Sequence, residues 1–154
     1  MFHRFLKVAI ISACAALMIP AVAQAQWWQS HPKYLHAMSD LRKAYWLIAH
    51  RDARDPEAKP EERAALDMIA RAYQDLKNAS IVDEKDIRDQ PPADMNFWDH
   101  RGRLHHALDL LKEARTDISG EEEDPAARGL RRNATIDINV AIRATEAAIN
   151  AWMF

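Results

Sequence analysis

From Tyr34 onward the chain repeats apolar residues at helical spacing. With each residue turning about 100°, Tyr34, Leu35, Met38, Leu41, Tyr45 and Ile48 share one face. Ala37, Ala44 and Ala49 edge that face, while Trp46 and Leu47 lie beside it or off it. Ser30 as N-cap and Pro32 in the first turn suit a helix start, because a proline there removes no hydrogen bond. This helix is expected to end near His50. A polar turn over 52–59 leads to Pro60, Glu61 and Glu62, a second start with negative charge at the positive end of the helix dipole. Leu66, Ile69, Ala72, Tyr73, Leu76 and Ala79 or Ser80 then give an inner face reaching about Val82.

Residues 83–98 read as the longest connector. Pro91 and Pro92 interrupt any helix there, and Phe97 and Trp98 suggest that part of it packs down. A third helix begins near Asp99, carries Leu104, Ala107, Leu108, Leu111, Ala114 and Ile118 on one face, and stops before Gly120 as its C′ residue. Asp124 and Pro125 open a fourth, with Ala134, Ile138, Ala141, Ile142, Thr145, Ala148, Ile149 and Trp152 inward. Gly129 in its first turns weakens it by about 1 kcal/mol. No segment alternates apolar and polar residues as a half-buried strand would. The second half also echoes the first at an offset of 69 to 70 residues, setting His31 on His100, Ile69 on Ile138 and Tyr73 on Ile142. The expected fold is all-α: an antiparallel up-down-up-down four-helix bundle of two repeated helical hairpins, about 31–82 and 99–152.

The first 25 residues change this picture at one end only. Arg4 and Lys7, an apolar run from Val8 to Ile19, Pro20 and Ala23-Gln24-Ala25 have the layout of a cleaved secretory signal. The run is shorter than the ~20 residues a spanning helix needs. The expectation is export to the periplasm or medium, with 26–154 as a single domain and no integral membrane segment. Ile11-Ser12-Ala13-Cys14 offers a second reading, cysteine lipidation, although the apolar run continues through Cys14. Cleavage after Ala25 would leave 129 of the 154 residues and take away the only cysteine, and with it any disulfide, thiol nucleophile or thiolate ligand.

Charge excludes one class of partner. Without Arg4 and Lys7, 19 basic residues face 23 acidic ones, a net charge of −4, with both signs interspersed. Nucleic-acid binding wants a basic stripe, which is missing.

Histidine supplies the candidate chemistry. His31, His36, His50, His100, His105 and His106 all lie in the first and third helices or at their starts. His31 and His100 fall with the apolar faces. His36, His50 and His105 point outward and His106 lies on a flank. In an up-down-up-down bundle the two inward histidines would begin their helices at the same end of the core. Glu84, on the line of Leu66, Tyr73 and Ser80, would arrive there too. Imidazole with carboxylate suits copper, zinc or nickel. Alternatively, His31 and His100 cap the core end and hydrogen-bond to neighbouring loops. His105 and His106, beside Asp109, and His36 are further candidate ligands at the surface. No HExxH, paired ExxH or cysteine set is present.

A cysteine-poor exported chain with a duplicated hairpin, whose first helices open with His31/His36 and His100/His105 and whose second helices carry Leu66-Asp67 and Ile136-Asp137, resembles the small metal-binding protein family of bacterial periplasms. The resemblance implies a four-helix bundle that binds copper and other divalent ions through histidine and carboxylate. That family spreads many more histidines over all its helices, so a few ions at most are implied here.

The expected function is therefore scavenging or buffering of a few divalent ions. The alternative is a structural or partner-binding bundle, with Trp46, Leu47, Ile136 and Val140 covering another helix or a homodimer face. An enzyme is not expected. Ile142 to Ala147 locally resembles the helical chorismate mutases, but that chemistry needs several cations inside the bundle and only Arg42 lies near an inner face. Haem is not expected either, since the last helix has no histidine to pair with an inward one or with Met38, and no nucleotide motif occurs.

Overall fold

The computed structural model describes residues 32–50, 57–80, 99–120 and 125–152. The expectations for the leader, Cys14, Ser30, His31, Glu84, Phe97, Trp98 and Asp124 lie outside those residues. Among the described residues there are four helices and no strand: α1 (Pro32–Ala49), α2 (Pro60–Ser80), α3 (His100–Asp117) and α4 (Pro125–Ala151). None is long and apolar enough to cross a membrane.

The burial of the last two helices follows the apolar periodicity closely. Leu104, Ala107, Leu108, Leu111, Ala114, Ile118, Ala134, Ile138, Ala141, Ile142, Thr145, Ala148 and Ile149 are all buried. In α1 the core face is rotated from the expected one: Leu35 is 42% exposed, Tyr45 is half-buried, and Leu47 is fully buried between Ala44 and Ile48. α1 packs against α2 and α3, and the arc that faces both takes in Leu47 and leaves Leu35 out. Leu47 is thus core and not a surface for a partner.

The interface between α2 and α4 has a simple physical basis. Ala65, Ala72 and Ala79 recur every seventh residue, as do Ala127, Ala134, Ala141 and Ala148, and all seven are buried. A heptad row of methyl groups lets two backbones approach closely, and larger side chains from the adjoining rows fill the flanks. Those rows are Glu62, Ile69 and Leu76 on α2, and Arg131, Ile138, Thr145 and Trp152 on α4. Thr145 satisfies its buried hydroxyl by donating to the Ala141 carbonyl at 2.8 Å.

The order of the helices differs from the expected alternation. Arg103, in the first turn of α3, donates to the carbonyl of His50 just past α1. Lys59, just before α2, donates from Nζ to the carbonyl of Ala151 at the end of α4. His100 at the start of α3 meets Glu62 in the first turn of α2. One end of the molecule therefore gathers the end of α1, the starts of α2 and α3, and the end of α4. At the other end Lys33, at the start of α1, lies by Gly120 beyond α3. The starts of α1 and α3 are thus at opposite ends, and the expected meeting of the His31 and His100 ends of the helices does not occur. The connector permits this: a run of 18 residues, 81–98, can span up to ~60 Å, whereas α3 is ~27 Å long.

The end of α3 is also closed differently from the expectation. The C-cap is Ile118, whose N–H donates to Ala114, and Ser119 donates to Thr116 through both its amide and its hydroxyl. Gly120 is not the C′ residue. Arg131 of α4 donates Nη1 to the carbonyls of Ile118 and Gly120, so a cation from a neighbouring helix meets the negative end of the α3 dipole.

Candidate functional site

The end that gathers four helix termini holds an interior carboxylate. Glu62 is fully buried, an unusual place for a charge unless it is paired. It is the third residue of α2, and its Oε2 accepts from the Lys59 amide at 3.0 Å, the reciprocal half of a capping box. Its other oxygen, Oε1, lies 2.8 Å from His100 Nε2 and accepts from Trp152 Nε1 at 3.0 Å. The heptad row that continues back from Leu76 and Ile69 carries Glu62 inward, and the α4 row ends on Trp152 at the same level.

His100 is 7% exposed and Arg103 is 3% exposed. Arg103 Nη2 is a long 3.4 Å from His100 Nδ1. A guanidinium has no acceptor, so Nδ1 accepts and Nε2 carries the proton that is donated to Glu62. Glu62 requires a proton on Nε2, which neutral and cationic imidazole both carry, and it is the Arg103 contact that matches a bare Nδ1. The chain runs from Arg103 through His100 to Glu62, with Trp152 closing the far side. The His100 and Trp152 rings meet edge to face at 5.1 Å, and the Lys59 ammonium sits 3.7 Å over the Trp152 ring. Asp99 caps α3 by accepting from the Gly102 amide at 2.7 Å.

Among the expected site residues, His100 is the inward histidine. Both of its ring nitrogens face protein groups, and the cation Arg103 stands where a ligand to a second cation would have to open. His36 and His105 are exposed and His106 is half-buried. None of them joins His100. His50 is exposed and stacks on Trp46 with ring centres 4.5 Å apart.

A second feature is an open groove between the first half of α1 and the last half of α3, lined by His36, Asp40, Lys43, Lys112, Glu113 and Asp117. Burial raises the Asp40 pKa above the usual carboxylate value. Lys43, 3.7 Å away, opposes this, and the negative charges of Glu113 and Asp117 add to it. Asp75 on α2 is raised likewise, by burial and by Asp137 on α4. The groove groups do not converge on a point: among the described residues no three histidine, cysteine or acidic side chains are close enough to hold a metal ion together.

Three residues of the buried cluster were not singled out from the sequence as site residues: Glu62, Arg103 and Trp152. The heptad rows were the available signal for Glu62 and Trp152, since each occupies a core position one heptad from a buried residue. Arg103 sits three residues after His100 and one before Leu104, on the inward arc of α3, so the interior does hold a cation besides the expected Arg42.

Compared with protein-family models, curated proteins and solved structures, the chain matches none.

Proposed function

We propose that this chain is an exported, non-enzymatic helical bundle that takes up a few divalent cations, copper or zinc, on exposed imidazole and carboxylate groups. Its scaffold is read as two helical hairpins of common descent packed antiparallel, a duplication supported by the 69 to 70 residue offset between the halves. The observation that carries the cation reading is the groove of His36, Asp40, Glu113 and Asp117, where burial, with Glu113 and Asp117 adding to it and Lys43 opposing it, raises the Asp40 pKa. A cation there relieves mutual repulsion, and imidazole adds a nitrogen ligand suited to copper or zinc. Lys43 and Lys112 on the rim and the open geometry favour weak, hydrated binding over a closed coordination centre. His105 and His106 provide a second loose locus on α3.

Isothermal titration of the purified protein with Cu(II) and Zn(II) tests this. The expected result is weak binding that is lost in the His36→Ala/Asp40→Asn variant and kept in Arg101→Ala. Undiminished binding in the double variant would overturn the placement. Absence of any binding would instead favour the second reading, a structural or partner-binding bundle. That reading is supported by the hydrogen bonding of His100 with Glu62 and Arg103, which occupies both ring nitrogens of the most buried histidine among the described residues.

A further inference from the structure

We propose that Arg103, His100, Glu62 and Trp152 form a proton-operated clasp: it holds one end of the bundle shut while His100 is neutral, and acid releases that end ahead of the rest. The inference is independent of cation binding and rests on the direction of each hydrogen bond. Arg103 donates to His100 Nδ1, His100 Nε2 donates to Glu62 Oε1, and Trp152 Nε1 and the Lys59 amide donate to the same carboxylate. Any proton added to this chain must land on an atom that now accepts. On Nδ1 it would set a donor against the Arg103 guanidinium and place two cations side by side. On the carboxylate it would set a hydroxyl among the donors of His100, Trp152 and Lys59. Either product carries a mismatched pair in a region where Glu62 is fully buried, and a buried group without its partner is strongly disfavoured.

Several groups of the neighbouring helices face His100. Glu62 and Lys59 come from the α2 start and Arg103 from its own helix. From α1 comes the carbonyl of His50, which accepts from Arg103, while the His50 ring stacks on Trp46. The last turn of α4, Ala148–Trp152, has no ionisable side chain. The clasp joins all four helices, since α1 enters through the His50 carbonyl and α4 through both Trp152 and the Ala151 carbonyl that holds Lys59. Its release therefore frees four helix termini together, and nothing comparable with a buried histidine is described at the Gly120 end.

Amide hydrogen exchange of the protein, with a chelator present, tests the clasp between about pH 7.5 and about pH 5, the range in which histidines change charge. After correction for intrinsic exchange, protection over 62–66, 101–105 and 148–152 is expected to fall on the order of tenfold more than over 36–40 and 113–117. Nitrogen-15 spectra of the His100 ring should show a bare Nδ1 and a protonated Nε2 at neutral pH. Glu62→Gln, which keeps the shape without the charge, should lower protection at this end at neutral pH, and His100→Gln, which removes the titrating ring, should lose the acid step. Equal loss at both ends, a doubly protonated His100 at neutral pH, or an acid step retained in His100→Gln would each overturn the proposal. If either variant fails to fold, the wild-type exchange and ring spectra still decide.

Discussion

A single buried carboxylate shows how strongly context sets what a residue does. Glu61 and Glu62 both sit in the first turn of α2, where the helix dipole favours them equally. Glu61 is half-buried and Glu62 fully buried, because only Glu62 continues the row of Ile69 and Leu76 into the core. Once inside, it needs donors, and it accepts from the Lys59 amide, His100 and Trp152. Trp152→Phe removes one donor and keeps the ring that faces His100. It should destabilise the fold by about 1–3 kcal/mol in urea unfolding, the cost of stranding one buried charged acceptor. An unchanged midpoint would mean that solvent supplies the missing donor and that this end is wet.

At the scale of elements, heptad alanines explain why α2 and α4 pack closely, and small residues also mark where a helix is weakest. Gly129 in α4 has open space where a Cβ would stand. Gly129→Ala should therefore raise stability by about 0.5–1 kcal/mol, read as a higher thermal midpoint with no change in helix packing. A lower midpoint would show that the start of α4 requires the glycine. Element boundaries were largely legible in the sequence, through Pro60 and Pro125 at first helical positions and a helix start near Asp99. The rotation of α1 was not. A lone periodic pattern favours the stripe with the largest side chains, which put Leu35 in and Leu47 beside it, whereas a helix wedged between two neighbours buries the arc facing both.

For the whole molecule, the decisive fact is which helix ends come together. Spin labels at Lys33 and Ser119 test it directly, in a protein whose one native thiol, Cys14, is replaced by serine. These sites belong to the start of α1 and the end of α3, which share one end of the structure. The expected separation is short, under about 20 Å, where an up-down-up-down order would set them a helix length of ~27 Å or more apart. A long distance would restore the simpler alternation and dissolve the clasp with it.

The sequence alone settles local features: an all-helical chain, the approximate helix ends, and the inward arcs of α3 and α4, His100 included. These follow from periodicity, caps and prolines, which act within a few residues. The tertiary structure alone decided that His100 meets Glu62 and Arg103 and not the start of α1. That outcome depends on the sense in which a long connector carries the chain from α2 to α3. Both senses bury the same apolar stripes, so periodicity is blind to the choice; it becomes visible only when ends distant in sequence bring their polar groups into one interior and those groups must satisfy each other.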